Sequence, residues 1–197
     1  MKNNYTRGSG LLESFLAKQR AKKVGGLIEG LSRRERLLDI GCGSFPYFLT
    51  ITDFKEKYGI DPSVNKDLTL DKSINLLTVD VGGKNLPFKD NFFDAVTMLA
   101  VFEHIDNEKL QNVIADIKRV LNNDGILIIT TPAPWADKLL HFMAKFGLIS
   151  SEEIHEHKHN HPRAKIEDII NKAGFKKSNI ESGFFEFHMN MWFVAKK

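Results

Sequence analysis

Two glycines and three aspartates are spaced in this chain as in a site for a nucleoside-bearing cofactor. Asp39 precedes a tight turn that contains Gly41 and Gly43. Asp61 follows about twenty residues later, and Asp80 ends a further apolar run. Glycines let a backbone approach a ligand closely, and a carboxylate can accept hydrogen bonds from ribose hydroxyls. The combination predicts a cofactor site more strongly than any one of these residues, each of which could alone be a turn or cap residue.

Alternating helical and extended patterns position these residues. Apolar residues recur at helical spacing in several segments, with near-continuous apolar runs between them. The predicted helices are 11–30, 46–56, 107–122, 134–148 and 163–173. The predicted strands are 36–42, 58–61, 76–80, 93–99, 126–130, 178–187 and 189–195, with an irregular stretch over 82–91. Apolar strands separated by helices predict a parallel sheet covered on both faces, followed here by a terminal hairpin.

Composition favours one globular domain, 1–197, with residues 1–30 as an N-terminal helical extension that either packs on the domain edge or forms a lid. The chain is 42% hydrophobic and carries 15 Phe, enough for a substantial core. Its formal net charge of +3 is too small to argue for nucleic acid by itself. Cys42 is the one cysteine, which excludes an internal disulfide and fits a reducing compartment. Without a membrane-length apolar run or a signal-peptide core in 1–10, we expect a soluble cytoplasmic protein.

Several motifs together resemble the class I S-adenosylmethionine-dependent methyltransferases, particularly the small-molecule branch that includes the ubiquinone-biosynthesis type. The motifs are Leu38-Asp39-Ile40-Gly41-Cys42-Gly43, Ile60-Asp61-Pro62, Leu86-Pro87-Phe88 before Phe93-Asp94-Ala95-Val96, Glu103-His104, and Leu121 to Gly125. The resemblance covers roughly residues 11–197. It implies a Rossmann-like α/β fold whose seven-stranded, mostly parallel sheet has the order 3-2-1-4-5-7-6, with strand 7 antiparallel and helices on both faces. It also implies S-adenosylmethionine as cofactor and S-adenosylhomocysteine as product.

The resemblance assigns a role to each matching position. Asp39 would neighbour the methionine moiety, Asp61 would bind the ribose hydroxyls, and Asp80 would accept a hydrogen bond from the adenine amino group. The other implied cofactor-binding residues are Gly41, Cys42 and Gly43 in the turn, Pro62 and Val81 beside two of the acids, and Leu99 and Ala100 at the tip of the fourth strand.

The glycine turn departs from the family pattern at one position. Phe45 stands where the family usually has a third glycine, and Pro46 follows it. The bulk of Phe45 would reshape the pocket near the methionine tail. A dinucleotide fingerprint, Gly-x-Gly-x-x-Gly, would need a glycine at position 46 instead of proline. We therefore expect S-adenosylmethionine and not NAD.

Histidines are the candidate catalytic residues. Methyl transfer needs a general base only if the acceptor must lose a proton. His104 is either a base or substrate contact, or part of a Glu103–His104 pair that caps the next helix. Four histidines alternate further on and would share one face of an extended segment; they are His155, His157, His159 and His161. We expect this segment to be a polar acceptor-side loop, with a solvated loop or a metal site as alternatives. No metal is predicted, because the usual structural-zinc spacing is absent.

The acceptor is open to more than one interpretation, of which a small molecule methylated on O, N or C is the leading one. The residues 100–103 lack the Asn/Asp-Pro-Pro-aromatic motif typical of DNA amine methyltransferases, so no nucleic acid partner is expected. An apolar acceptor wall is suggested by Trp135, Phe142, Phe146, Phe184, Phe185 and Phe187, although such residues are ordinarily core. The alternatives are a non-catalytic or regulatory protein that binds S-adenosylmethionine, and a methyltransferase of protein or RNA.

Overall fold

The fold is that of a computed structural model, which describes residues 13–65, 67–68, 70–83, 85–136 and 160–197. In chain order the elements are α1 (Glu13–Ile28), β1 (Arg36–Ile40), α2 (Tyr47–Ile51), β2 (Glu56–Ile60), β3 (Ile74–Leu77), β4 (Phe93–Leu99), α3 (Asn107–Val120), β5 (Leu121–Pro132), α4 (Arg163–Lys172), β6 (Ile180–Phe185) and β7 (Asn190–Lys196). Two short 3-10 helices cover Phe102–His104 and Lys177–Asn179.

The strands form one seven-stranded sheet in the order β3-β2-β1-β4-β5-β7-β6. Strands β1 to β5 run parallel, and β7 is antiparallel to both β5 and β6. The predicted strand order, the antiparallel seventh strand and the terminal hairpin are confirmed. Every residue of β4 up to Met98 is buried, as expected of a central strand covered on both faces.

A separate apolar core covers each face of the sheet. On one face α3 and α4 pack against β4, β5 and β7, and the buried helical residues there are Leu110, Val113, Ile114, Ile117, Val120, Ile166 and Ile170. On the other face α1 and α2 contribute Ala21, Val24, Ile28, Phe48 and Leu49, which lie against β1, β4 and β5. The N-terminal helix α1 is therefore packed directly on the sheet along its second half.

The predicted boundaries were wrong around the second and third strands. The helix predicted over 46–56 spans only Tyr47–Ile51, and β2 begins at Glu56. The reason is pairing with β1: Glu56 lies opposite Arg36 in the ladder, and its backbone N–H donates to Glu35 O at 2.8 Å. Strand β3 ends at Leu77, so Asp80 does not end a strand as predicted.

Side chains of α3 hold the irregular connection between β3 and β4. The guanidinium of Arg119 donates to Phe88 O at 2.8 Å and to Leu86 O at 3.1 Å. The Asp116 carboxylate accepts from the Leu86 backbone N–H and from Arg119. These bonds satisfy backbone groups that no helix or strand pairs in this stretch. The Leu86-Pro87-Phe88 motif is thus anchored to α3.

Asp94 ties together three segments at the amino edge of the sheet. Its buried carboxylate accepts from the backbone N–H groups of Glu35 and Arg36, at 2.7 and 3.0 Å, and from Asn122 Nδ2 at 2.6 Å. Arg33 Nε lies 3.4 Å from the same carboxylate. The acid of the Phe93-Asp94-Ala95-Val96 motif therefore lies at the edge opposite the glycine turn and joins the starts of β1, β4 and β5.

Replacing Asp94 by Ala should lower the free energy of unfolding by about 3 kcal/mol, because three partly buried donors lose their acceptor. Urea unfolding measures the change. The matched control is Asp124→Ala, which removes an exposed carboxylate 3.4 Å from Lys196 and should cost less than about 0.5 kcal/mol. Equal losses in the two variants would contradict a structural role for Asp94.

Candidate functional site

The glycine turn after β1 is locked against the neighbouring strands. Gly41 has a φ of +75°, and its N–H donates to Ile60 O at 2.8 Å. A Cβ added at Gly41 would lie 2.2 Å from Val101 Cγ2. Both the backbone conformation and the close approach of Val101 therefore require glycine here. Gly43 also has a positive φ, but a Cβ there would meet open space. The turn thus presents bare backbone to an open region at the carboxyl edge of the sheet.

Asp61 links the turn after β1 to the turn after β2. Its buried carboxylate accepts from Gly43 N at 3.1 Å through Oδ2. Oδ1 accepts from the backbone N and the Oγ of Ser63, at 2.7 and 2.6 Å. One carboxylate therefore accepts hydrogen bonds from both turns. Asp61 therefore organises the edge in addition to its predicted ribose contact.

Asp39 is buried between β1 and β4, beneath the glycine turn. Its Oδ1 accepts from Thr97 Oγ1 at 2.6 Å, in keeping with their opposed positions in the parallel ladder. Burial raises the pKa of the Asp39 carboxyl to about 7, the Thr97 hydrogen bond opposes that rise, and the Asp61 charge adds to it. A cationic group nearby would favour the ionised form. Asp39 is thus an acid whose charge depends on what occupies the edge above it.

The tip of β4 borders the same region. Leu99 and Ala100 are partly exposed, and Ala100 has a φ of +55°, which is unusual for a residue with a Cβ. The Ala100 N–H donates to Thr130 O at 3.0 Å, so β5 holds this conformation. Strained backbone of this kind concentrates at functional sites. The structure thus brings Leu99 and Ala100 to the same edge as the glycine turn and Asp61.

Three predicted cofactor-binding residues are more exposed than Asp39 and Asp61, namely Asp80, Val81 and Pro62. Asp80 and Pro62 are exposed, whereas Val81 is partly buried. Val81 lines a cavity of about 180 Å³ between the connection 81–86 and α3; its other lining residues include Gly82, Lys109 and Val113. The predicted adenine contact of Asp80 therefore concerns an exposed carboxylate outside the buried Asp39–Asp61 group.

The Glu103–His104 pair lies just before α3, and the residue that immediately precedes this helix is Asp106. Glu103 is buried in the 3-10 helix at Phe102–His104, and its Oε2 accepts from Thr131 Oγ1 at 3.1 Å. His104 is partly exposed just beyond the tip of β4. Its catalytic role stays a prediction.

The histidine segment is described only at its end. His155, His157 and His159 lie outside the described residues, as do Phe142 and Phe146. The Nε2 of His161 lies 2.6 Å from Asn107 Oδ1, at the start of α3. In the described part of the chain, no three His, Cys, Asp or Glu side chains are grouped as metal ligands would be.

Three of the four described residues of the predicted acceptor wall lie outside the core. Trp135, Phe184 and Phe187 are all exposed, and Phe185 is partly buried. Their role as an acceptor wall stays a prediction.

Sequence reasoning passed over three residues that complete the edge, namely Ser63, Thr97 and Val101. The Asp-x-Ser spacing at 61–63 is a turn signal that could have identified Ser63. Thr97 and Val101 carry no such signal, because their partners Asp39 and Gly41 are defined by strand register and packing. No helix in the described ranges has both the length and the apolar character needed to cross a bilayer.

Comparisons with known proteins agree with this geometry. Residues 38–129 match a family described as a methyltransferase domain. The chain is 31% identical over 141 residues to an uncharacterized protein of Methanocaldococcus jannaschii, covering 68% of this chain and 52% of that protein. It is 29% identical over 125 residues to the tRNA (carboxymethyluridine(34)-5-O)-methyltransferase of Arabidopsis thaliana, covering 58% of this chain and 27% of that enzyme. The chain therefore spans about half the length of the first relative and about a quarter of the second.

A solved structure shares the fold over nearly the whole chain. It is an S-adenosylmethionine-dependent methyltransferase from Archaeoglobus fulgidus, with a TM-score of 0.69 and 18% identity over 93% of this chain and 94% of that one. The matched family region contains the second half of β1, all of β2 and the tip of β4, the elements that lead into the glycine turn, Asp61 and Ala100.

Replacing Asp39 by Asn should stabilise the ligand-free protein at pH 8 and change its stability little at pH 4. With a pKa of about 7 when folded and about 3.8 when unfolded, Asp39 keeps a proton in the folded state that the unfolded state loses between these values. Folding stability therefore falls as pH rises through this window, and Asn removes the loss. Thermal melting at both pH values measures it. The exposed Asp53 provides the control variant, Asp53→Asn. A gain of equal size at both pH values would show that the Asp39 charge is not suppressed by burial.

Proposed function

We propose that the chain is a class I S-adenosylmethionine-dependent methyltransferase that transfers a methyl group from S-adenosylmethionine to a small-molecule acceptor, which is supported by the match of residues 38–129 to a methyltransferase domain. The observation that carries the proposal is the Asp61 carboxylate, which joins the Gly43 turn to the turn after β2 at an open sheet edge. Ligands of open α/β sheets bind at this edge, beyond the carboxyl ends of the strands.

The residues at the edge fit S-adenosylmethionine. Bare backbone at Gly43 faces open space, which gives room for a ligand above the turn. In the proposed complex the Asp61 carboxylate, which lies beside the glycine turn, accepts a hydrogen bond from a ribose hydroxyl. The Asp39 carboxyl lies where a cationic ligand would favour its charged form. In the proposed complex Leu99 and Ala100 border the sulfonium, and the Asp80 carboxylate accepts a hydrogen bond from the adenine amino group. The cofactor supplies a methyl group on a positively charged sulfur, which is already a good leaving group.

The work of the protein is then mainly alignment. Holding donor and acceptor in line can supply several kcal/mol of the barrier reduction without any covalent participation by the protein. The strained Ala100 and the Val101–Gly41 contact fix the tip of β4 against the glycine turn. A general base is required only for acceptors that lose a proton, and His104 is the described histidine closest in sequence to that tip.

The preference for a small acceptor rests on the residues after β4. The motif of DNA amine methyltransferases is absent from the sequence Ala100-Val101-Phe102-Glu103. The Glu103 carboxylate accepts a hydrogen bond from Thr131. A second candidate is methyl transfer to RNA, which is favoured by the relative named as a tRNA methyltransferase. We further propose a cytoplasmic location, which is supported by the single cysteine of the chain.

Replacing Asp61 by Ala should weaken S-adenosylhomocysteine binding by about 1.5–3 kcal/mol, the range for hydrogen bonds to a charged group. Titration calorimetry measures it, and NAD should give no heat with the parent protein. The matched control is Asp67→Ala, an exposed acid in the same connection between β2 and β3. Ser63→Ala removes a donor to Asp61 but keeps the carboxylate, so it separates loosening of the turn from loss of the ligand contact. Undiminished affinity in Asp61→Ala would exclude the ribose role.

Methyl transfer itself is tested with labelled S-adenosylmethionine and fractionated cell extract. We expect label in the small-metabolite fraction and stoichiometric S-adenosylhomocysteine, both reduced in Asp61→Ala. Label that appears in macromolecules and is lost after ribonuclease treatment would favour the RNA candidate. If S-adenosylhomocysteine binds but no fraction accepts methyl, the protein is a non-catalytic binder and the proposal is wrong.

A further inference from the structure

Exposed aromatic side chains are concentrated at one end of the molecule. Five large hydrophobic side chains are exposed among the described residues: Phe15 (56%), Ile51 (52%), Trp135 (54%), Phe184 (39%) and Phe187 (93%). Trp135, Phe184 and Phe187 lie after β5, in β6 and in the turn between β6 and β7, at the carboxyl edge of the sheet. Phe15 lies in the first turns of α1. We call Phe15, Trp135, Phe184 and Phe187 the aromatic rim. Clusters of exposed apolar side chains on soluble domains commonly mark interaction sites.

A strained turn presents Phe187 to solvent. Glu186, Phe187 and His188 connect β6 to β7, with φ values of 50°, 53° and 66°. Three consecutive residues with side chains in the left-handed region are costly, so surrounding bonds must hold them. The Met189 N–H donates to Glu186 O at 3.0 Å, and the Ala133 N–H donates to Met189 O at 2.8 Å. The fold thus maintains a strained turn whose tip carries an almost fully exposed phenylalanine.

Trp135 and Phe184 are joined to this turn through His188. Trp135 Nε1 donates to His188 O at 3.0 Å, which fixes the indole beside the turn. The rings of Phe184 and His188 lie 5.3 Å apart. Trp135 and Phe184 thus both contact His188, the residue that follows Phe187 in the turn. Trp135 lies just after the end of β5, the strand that pairs with β4.

Phe15 reaches the same end from α1. The helix ends near the amino edge, where Arg34 donates to Ile28 O, and Lys23 Nζ lies 4.6 Å from the Trp192 ring on β7. The positive charge of Arg20 acts on the Glu186 carboxylate in the strained turn. At about 1.5 Å rise per residue, Phe15 lies roughly 7 to 8 Å beyond Arg20, away from the amino edge.

Positive charges flank the aromatic rim. Helix α1 carries one acid, Glu13, and four cations, which are Lys18, Arg20, Lys22 and Lys23. Arg163 lies over the Phe184 ring at 5.6 Å. Among the described residues, the acids that interact with these groups are Glu186, which is partly buried and bonded to Asn190, and Glu167, which accepts from Ser182 and lies 3.6 Å from Arg163. Cations therefore outnumber acids among the described residues of this region.

We propose that the aromatic rim docks on the surface of an anionic lipid bilayer. Aromatic rings settle at the interface between headgroups and acyl chains, and neighbouring Lys and Arg add attraction to anionic lipids. Single-stranded nucleic acid instead stacks on flat ring faces along a basic groove. Phe187 projects from a turn tip as a wedge and offers no such platform. Docking in this way turns the open carboxyl edge toward the bilayer, whatever the acceptor is.

The test is sedimentation of the full chain with lipid vesicles. We expect binding to vesicles of phosphatidylcholine mixed with phosphatidylglycerol, weaker binding at high salt, and little binding to phosphatidylcholine alone. Phe187→Ser should weaken partitioning about tenfold or more, since a phenylalanine no longer enters the apolar phase. Ile51→Ser, which removes the one exposed large hydrophobic residue of the described chain that lies outside the rim, should bind as the parent does. Unchanged S-adenosylhomocysteine affinity in both variants shows that each is folded.

Tryptophan fluorescence tests whether the aromatic rim itself contacts the bilayer. The chain has two tryptophans, so Trp192→Phe leaves Trp135 as the sole reporter. Its emission should move to shorter wavelength on anionic vesicles. The proposal is overturned if the protein ignores vesicles, binds both lipid compositions equally, or loses as much binding in Ile51→Ser as in Phe187→Ser. It is also overturned if Phe187→Ser abolishes only RNA binding or only self-association.

Discussion

One buried carboxylate, that of Asp61, connects the two loops on which the cofactor site depends. It accepts from Gly43 on one side and from Ser63 on the other, so the turns after β1 and β2 keep a fixed separation. A buried carboxylate with good hydrogen bonds is costly to disturb. The geometry that a ligand meets at this edge is therefore set before it binds. The same contact explains how bare glycine backbone, which has little rigidity of its own, can form a stable ligand surface.

The motif acids of this chain fall into three physical classes. Asp61 and Asp39 are buried at the carboxyl edge, where Asp61 accepts hydrogen bonds from two turns and Asp39 has a pKa raised by burial. Asp94 is equally buried but lies at the amino edge, where it joins the starts of three strands. Asp80 is exposed beyond the end of β3. Acids of one family pattern thus lie at opposite edges of one sheet and differ in burial and hydrogen bonding.

Much of the fold could be predicted from the sequence, because apolar runs and helical periodicity report burial directly. The strand order came from the resemblance to a family, and the glycine turn from residue type. Finer features depended on tertiary structure. The early start of β2 follows from pairing with β1, and the Thr97–Asp39 bond follows from parallel register between segments far apart in sequence. The near-complete exposure of Phe187 could not be predicted, because the strained turn that exposes it carries no glycine to signal it.

The central claim is that S-adenosylmethionine and its product bind over the glycine turn, between Asp61 and the tip of β4. The most direct measurement is an amide NMR titration of the full ¹⁵N-labelled chain with S-adenosylhomocysteine. The account predicts that the largest shifts occur at Gly41, Gly43 and Ala100, while the amide of Phe187 at the far end of the edge is unchanged. Largest shifts at Gly82 and Gly83, beside the cavity against α3, would place the ligand elsewhere and contradict the account.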